Sequence, residues 1–234
     1  MLSDAQIERY SRQLILPEIG PKGQERLLAG AVALAGDPGP NAAGLLYLAG
    51  AGVGRLTVLD LDTAERGESE AARRSMPEPS NPDSALVRLR VRHAELAAVI
   101  EGHDVVVLSG GDGRMRAAVH RACVAQAIPL VFGAAAGAQG FLVTFAGYRS
   151  GAPCHDCVAA TLPQGAAERS ALATVTEDLV ATLQATEVIK LLLGIGRLDD
   201  GQMVVCDLNA GTFSFRAFEQ DPNCPTCSGP ELRS

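Results

Sequence analysis

Four of the chain's six cysteines fall into two Cys-x-x-Cys pairs, Cys154 with Cys157 and Cys224 with Cys227. A two-residue spacer sets two thiolates on one side of a tight bend. Two such bends complete the tetrahedral sulfur shell that zinc favours. The alternatives are a redox pair and two unrelated pairs. A redox Cys-x-x-Cys opens a helix directly after a strand, whereas Cys154-His155-Asp156-Cys157 follows the loop residues Gly151-Ala152-Pro153. The expectation is one structural zinc held by Cys154, Cys157, Cys224 and Cys227. It would clip the tail to the body, so that binding free energy becomes folding free energy. His155, inside the first pair, is expected to be exposed and not a ligand. Cys123 and Cys206 lie in apolar runs and are expected to be small core residues.

A second chemical region lies near the start. Residues 31–35 form a short apolar run, followed by Gly36-Asp37-Pro38-Gly39-Pro40-Asn41 and then an apolar helix-like stretch at 42–49. A strand, a glycine turn and a helix start are what a nucleotide fold uses to hold phosphates, because bare N–H groups and a helix N-terminus face the anion. Gly36 and Gly39 supply the turn. Pro38 and Pro40 each remove a donor, and Asp37 brings a negative charge to the place where phosphates would lie. A plain structural turn therefore stands beside the phosphate-cradle reading. Asp60 ends the next strand, where nucleotide folds place an acid on the ribose hydroxyls. A solvated strand-end acid is the bland reading of the same residue.

The elements that must position these groups follow a β–turn–α–β order, which builds parallel sheets. Residues 2–28 read as an amphipathic helical arm capped by Ser3 or Asp4 and broken at Pro17 and at Gly20-Pro21. Strands are expected at 31–35, 55–60, 104–109 and 128–132, with helix at 114–127 and partly helix at 85–100. Two-residue alternation at 139–146 predicts a strand outside the parallel core. Gly50-Ala51-Gly52-Val53-Gly54 reads as a helix stop and entry turn. The Gly133–Gly140 stretch reads as a tight crossing of backbone. Residues 175–193 form the clearest amphipathic helix, ending at Gly194. A late hairpin is expected from 204–207 and 212–218, turning at 209–211.

The expected fold class is α/β: a Rossmann-like mixed, mostly parallel sheet flanked by helices, with a zinc-clipped C-terminal part. The expected organisation is one unit over 1–234. Residues 1–30 form a helical arm, 31–150 a nucleotide-fold core and 151–234 the zinc-linked part. A net charge of −7 opposes general nucleic-acid or anionic-membrane binding, which needs a basic face against phosphates. No apolar stretch approaches the ~20 residues of a membrane span. The acidic start, with no apolar run behind a basic one, does not read as an export signal. The expected compartment is the cytoplasm.

Taken together, Arg9-Tyr10-Ser11-Arg12-Gln13, Gly23-Gln24, the strand and glycine turn, Ala51-Gly52-Val53-Gly54, Leu59-Asp60-Leu61-Asp62, the 183–194 stretch and both cysteine pairs fall in one order. In that order and spacing the chain resembles the ThiF/MoeB/HesA group, the bacterial relatives of ubiquitin-activating enzymes, over nearly its whole length. The resemblance implies a homodimer with a mixed sheet and a four-cysteine zinc site. It also implies ATP and magnesium, used to adenylate the C-terminal glycine of a ubiquitin-like sulfur-carrier protein. Arg12 matches the arginine that reaches ATP from the partner subunit, and Asp60 the ribose-binding acid.

Other parts of the pattern are altered. The family's G-x-G-G-x-G turn stands here as Gly36 to Asn41 with two glycines missing. Its Ser-Asn-Leu-x-Arg-Gln segment reads Gly67-Glu68-Ser69-Glu70-Ala71-Ala72, leaving Arg73 and Arg74 as the nearest substitutes. Its phosphate-binding lysine would fall near Ser84, and no lysine occurs between Lys22 and Lys190. Its magnesium-binding aspartate would fall at Gly111, next to Asp112. Its crossover cysteine would lie near Ala167, and no cysteine occurs between Cys157 and Cys206.

The expected nucleotide set is therefore Gly36, Gly39, Asp60, Arg73 and Arg74, with Arg12 and Asp112 as catalytic residues if the chain is active. The leading expectation is a zinc-stabilised dimeric scaffold, impaired in ATP and magnesium use, that binds a sulfur carrier or an active paralogue. The alternative is an active adenylyltransferase. A dinucleotide redox module ranks below both, because Pro38 and Pro40 damage a pyrophosphate turn for any nucleotide.

Overall fold

A computed structural model describes residues 1–61, 77–162, 171–196 and 201–228. Eight strands form one sheet in the order β3-β2-β1-β4-β5-β6-β7-β8. β1 (Ala31–Gly36), β2 (Arg55–Leu61), β3 (Ala85–Val91), β4 (Val105–Ser109) and β5 (Leu130–Ala136) are parallel neighbours. β6 (Gln139–Phe145), β7 (Gln202–Asp207) and β8 (Thr212–Ala217) extend the sheet antiparallel.

The period of two along β1 feeds both faces. Val32 and Leu34 pack with Leu45, Leu48 and Val188 on one side. Ala33 and Ala35 pack with Met115 and Val119 on the other. Helices α4 (Pro38–Ala51) and α8 (Ala173–Leu193) cover the first face. Helices α5 (Leu96–Ile100) and α6 (Gly113–Ala125) cover the second.

The N-terminal arm is three short helices: α1 (Asp4–Arg9), α2 (Ser11–Leu14) and α3 (Gly20–Ala29). Ser3 caps α1 in a reciprocal box with Gln6. Tyr10 is buried, donates to Asp83 Oδ2 at 2.9 Å and accepts from Asn81 Nδ2 at 2.9 Å, which ties the arm to the loop before β3. Burial opposes ionisation of Asp83. Hydrogen bonds from Gln6, Tyr10 and Arg9, with the Arg9 charge, outweigh it and hold the carboxyl below its ordinary value.

Two expected elements change. The stretch 85–100 is helical only in its last part: it opens as strand β3, a 3-10 turn spans His93–Glu95, and the α-helix begins at Leu96. Val87, Leu89 and Val91 alternate with Arg88 and Arg90, and the backbone pairs with β2 along its full length. Helix α4 starts at Pro38 instead of 42, because proline fits the first helical turn, where its missing N–H costs nothing within the helix.

The tight crossing at Gly133–Gly140 is where α8 lies on the sheet. A Cβ on Gly133 would fall 2.6 Å from Gln184 Cδ and Val180 Cγ1, and one on Gly140 2.6 Å from Val180 Cγ2. Gly194 ends α8 in the left-handed region at φ 66°. Among the described residues no helix is long and apolar enough to cross a membrane.

Candidate functional site

Two places carry the chemistry: a crevice at the carboxyl ends of β1 and β4, and a cysteine cluster beyond β6. β1 sits between β2 and β4, so the strand order reverses there. Open α/β sheets bind ligands in such a crevice. Gly36 turns the chain at φ 99° where a Cβ would fall 2.0 Å from Ser109 O, so no larger residue fits. The Asp37 N–H donates to Ser109 O at 2.8 Å. That leaves the Asp37 carboxylate across the crevice: a Cβ on Gly110 would fall 2.0 Å from its Oδ2.

Asp37 is the N-cap of α4, with no side-chain capping bond, and Pro38 and Pro40 occupy its first turn. The next N–H, that of Asn41, donates back to Asp37 O at 3.3 Å. Pro38 and Pro40 leave Gly39 as the one N–H donor among the first three helical positions. Burial raises the Glu177 carboxyl, and the charges of Asp37 and Asp178 raise it further. Among the described residues, this turn sets the Asp37 carboxylate beside a helix start that carries two prolines.

The other expected nucleotide residues are scattered in their roles. Gly39 is exposed in the first turn of α4, Asp60 is half-buried near the end of β2, and Arg12 is exposed on α2. Asp112 caps α6, its Oδ1 accepting the Met115 N–H at 2.8 Å. Ser84, at the expected lysine position, is buried and donates to Val53 O at 2.7 Å. Arg73 and Arg74 lie outside the described residues.

Sequence reasoning missed Arg116. It is 6% exposed, donates from Nε to Gly110 O at 3.2 Å and Gly111 O at 2.9 Å, and lies over the Phe132 ring at 5.0 Å. It pins two consecutive left-handed glycines, at φ 66° and 77°. The signal for it was its place one helical turn after Asp112, on the face of α6 that meets the sheet.

The cysteine cluster brings together all four expected ligands. Helix α7 (His155–Val158) starts at Cys154 and carries Cys157. The tail returns Cys224 and Cys227 to it. The sulfurs lie 3.8 Å apart for Cys154 and Cys157, and 3.5 Å for Cys154 with Cys224 and Cys157 with Cys227. All four lie within 4.8 Å of one another, the one group of three or more metal-binding side chains among the described residues. A tetrahedral zinc with sulfurs at about 2.3 Å sets neighbouring sulfurs about 3.8 Å apart, so the donor set fits zinc.

N–H groups turn toward the sulfurs, from Asp221 to Cys157 Sγ at 3.4 Å and from Gln220 Nε2 to Cys227 Sγ at 3.5 Å, as thiolates require. Burial holds the Cys154 thiol above its ordinary value. A bound cation reverses that balance and favours the thiolates. Cys123 and Cys206 are buried, as expected of core residues.

His155 departs from expectation: it is 4% exposed instead of free in solvent. Its Nδ1 hydrogen-bonds Asp156 Oδ1 at 3.1 Å, and Asp156 Oδ2 accepts from Thr226 Oγ1 at 2.5 Å, which joins the two cysteine turns. Its ring meets Phe132 and Phe145 edge-on, with centroids 6.4 and 5.9 Å away. Burial, and after it the neighbouring His155, push His120 down to about 4.

A mixed sheet with an order reversal, a glycine turn at that point and a four-cysteine clip on the tail define a Rossmann-type α/β protein with a metal-binding C-terminal part. The sequence profile of the ThiF family matches residues 10–69 and 68–226. The chain belongs to the ThiF family. It is 33% identical over 250 residues to the SAMP-activating enzyme E1 of Haloferax volcanii, covering 97% of this chain and 90% of that protein. It is 32% identical over 246 residues to the molybdopterin-synthase adenylyltransferase of Escherichia coli, covering 97% and 98%. Among solved structures, E. coli MccB with ATP superposes at a TM-score of 0.73 with 17% identity, covering 94% of this chain and 75% of that one, which shows a shared fold.

Proposed function

We propose that the chain engages the C-terminal tail of a ubiquitin-like sulfur-carrier protein as a zinc-clipped dimeric member of its family, with adenylation impaired. The observation that carries this reading is the crevice turn. Asp37 lies across Gly110, Pro38 and Pro40 have removed two of the helix's leading donors, and Glu177 feels the Asp37 charge. Adenylation needs donors and cations to offset charge in the transition state. Loss of one such donor costs about 3–4 kcal/mol, or two to three decades in rate. The four-cysteine clip is separate from the crevice, so folding survives that loss.

A second reading is an active ATP-dependent adenylyltransferase. It is supported by two relatives at 32% and 33% identity over nearly the whole chain, one named an adenylyltransferase and one an activating enzyme. Arg12, Arg73 and Arg74 would supply its cations.

ATP–pyrophosphate exchange with a panel of small carriers ending in Gly-Gly separates the two. The first reading expects no carrier-dependent exchange, together with binding of a carrier tail. Exchange at the rate of an active relative overturns it and supports the second.

A further inference from the structure

His120 is 1% exposed, and neither of its ring nitrogens has a hydrogen-bond partner. A buried imidazole in that condition calls for a bound group, since nearly all buried polar atoms are satisfied. Its neighbour supplies the second half of a site. The His155 ring centroid lies 5.6 Å from that of His120, with the planes 36° apart. Asp156 takes the Nδ1 side of His155. A carboxylate on the far nitrogen is the arrangement that orients a metal-binding imidazole and raises its basicity.

The separation is informative. A metal about 2 Å from a coordinating nitrogen lies about 3.2 Å from the ring centroid, so two rings on one ion at about 120° stand about 5.5 Å apart. We propose that His120 and His155 form a second transition-metal site of low coordination number, distinct from the four-cysteine cluster.

The chemistry of the pocket selects the class of ion. Two neutral imidazoles suit copper and zinc. Phe132 and Phe145 wall His155, so the site is largely apolar. Asp156 acts on His155 ahead of Arg116 and Arg121, which oppose it. Apolar walls favour one positive charge over two. Cu(I), which accepts two or three donors, meets both conditions, and the bent angle leaves room for one further donor. Binding is simple coordination of Cu(I), with no change of oxidation state. The site does not depend on whether the crevice binds ATP, and its test is blind to adenylation.

The experiment titrates zinc-loaded protein with Cu(I), supplied anaerobically as its acetonitrile complex against a chromophoric chelator, while released zinc is measured. The expected result is uptake of one equivalent of copper with zinc retained. His120→Phe, and separately His155→Tyr, should lose that equivalent while still holding zinc, which reports that each variant is folded. X-ray absorption of the copper-loaded protein should show nitrogen and no full set of sulfurs around the copper. Copper uptake matched by equal zinc release would place the copper on the thiolates and overturn the proposal. So would no uptake by the zinc-loaded chain, or equal uptake by both variants.

Discussion

Asp37→Asn combined with Pro38→Gly and Pro40→Ala should convert the crevice turn into an anion acceptor. The substitutions return two N–H donors to the first turn of α4 and remove the charge that lies across Gly110. A hydrogen bond to a charged group is worth about 1.5–3 kcal/mol. Two unit charges 4 Å apart repel by about 4 kcal/mol at an effective dielectric of 20. Asp37 is half-buried, so solvent screens part of that repulsion. Even one donor and half the repulsion sum to about 3.5 kcal/mol, an affinity gain of two to three decades at about 1.4 kcal/mol per decade.

The assay is calorimetric titration with a non-hydrolysable ATP analogue and magnesium, backed by thermal shift. The stabilisation in the latter grows with the logarithm of ligand over Kd. Asp37 makes no side-chain capping bond to α4, so folding should survive, at a small cost from losing the proline at the first helical position. Equal affinity in the triple variant and the parent chain would refute the reasoning. Tight binding by the parent chain would refute it more directly.

Three further outcomes are expected. Cys224→Ser should reduce bound zinc from one equivalent to none and open the tail to proteolysis, read by elemental analysis and mass mapping; full retention of zinc would show that the cluster is not the metal site. Gly140→Ala places a methyl 2.6 Å from Val180 Cγ2 and Cys206 Sγ, and should cost about 1–3 kcal/mol through overpacking, seen as a lower urea midpoint. The Asp83 carboxyl is depressed in the folded state. Its contribution is therefore complete above its unfolded value of about 3.9 and is lost as pH falls through the lower folded value. Asp83→Asn should be less stable than the parent at pH 6, with the gap closing toward pH 3 in urea titrations.

The local pattern made most of the framework legible. β1, β4 and β6 are short apolar runs bounded by turn residues, and α8 ends at a glycine in the left-handed region as its period and C-cap imply. β3 was not legible, because AlaLeuValArgLeuArgVal alternates well enough for either period. Pairing with β2, a contact over some thirty residues of sequence, decides it. The start of α4 was misread for the opposite reason. Proline and glycine mark turns, but proline is also at home in a helix's first turn.

At the cysteine cluster the spacing alone assembled four ligands, whereas no local feature marks His155 as buried. The residues that enclose it come from α6, β5 and β6, and only the fold brings them together. Arg116 was obscured in the same way, since its partners are the carbonyls of a turn and not side chains.

Cys154 and Cys224 are 70 residues apart, and α8, β7 and β8 all lie between them. With metal bound, this part of the chain is a closed ring whose long helix lies against the rest of the sheet. Closing a ring of that size restricts the unfolded ensemble by about 4 kcal/mol if the clip acts as a cross-link does. A ring cannot lend out one arc. For α8 to pack on another copy's sheet, the metal must first let go, so loaded chains are barred from trading helices while stripped ones are free to tangle.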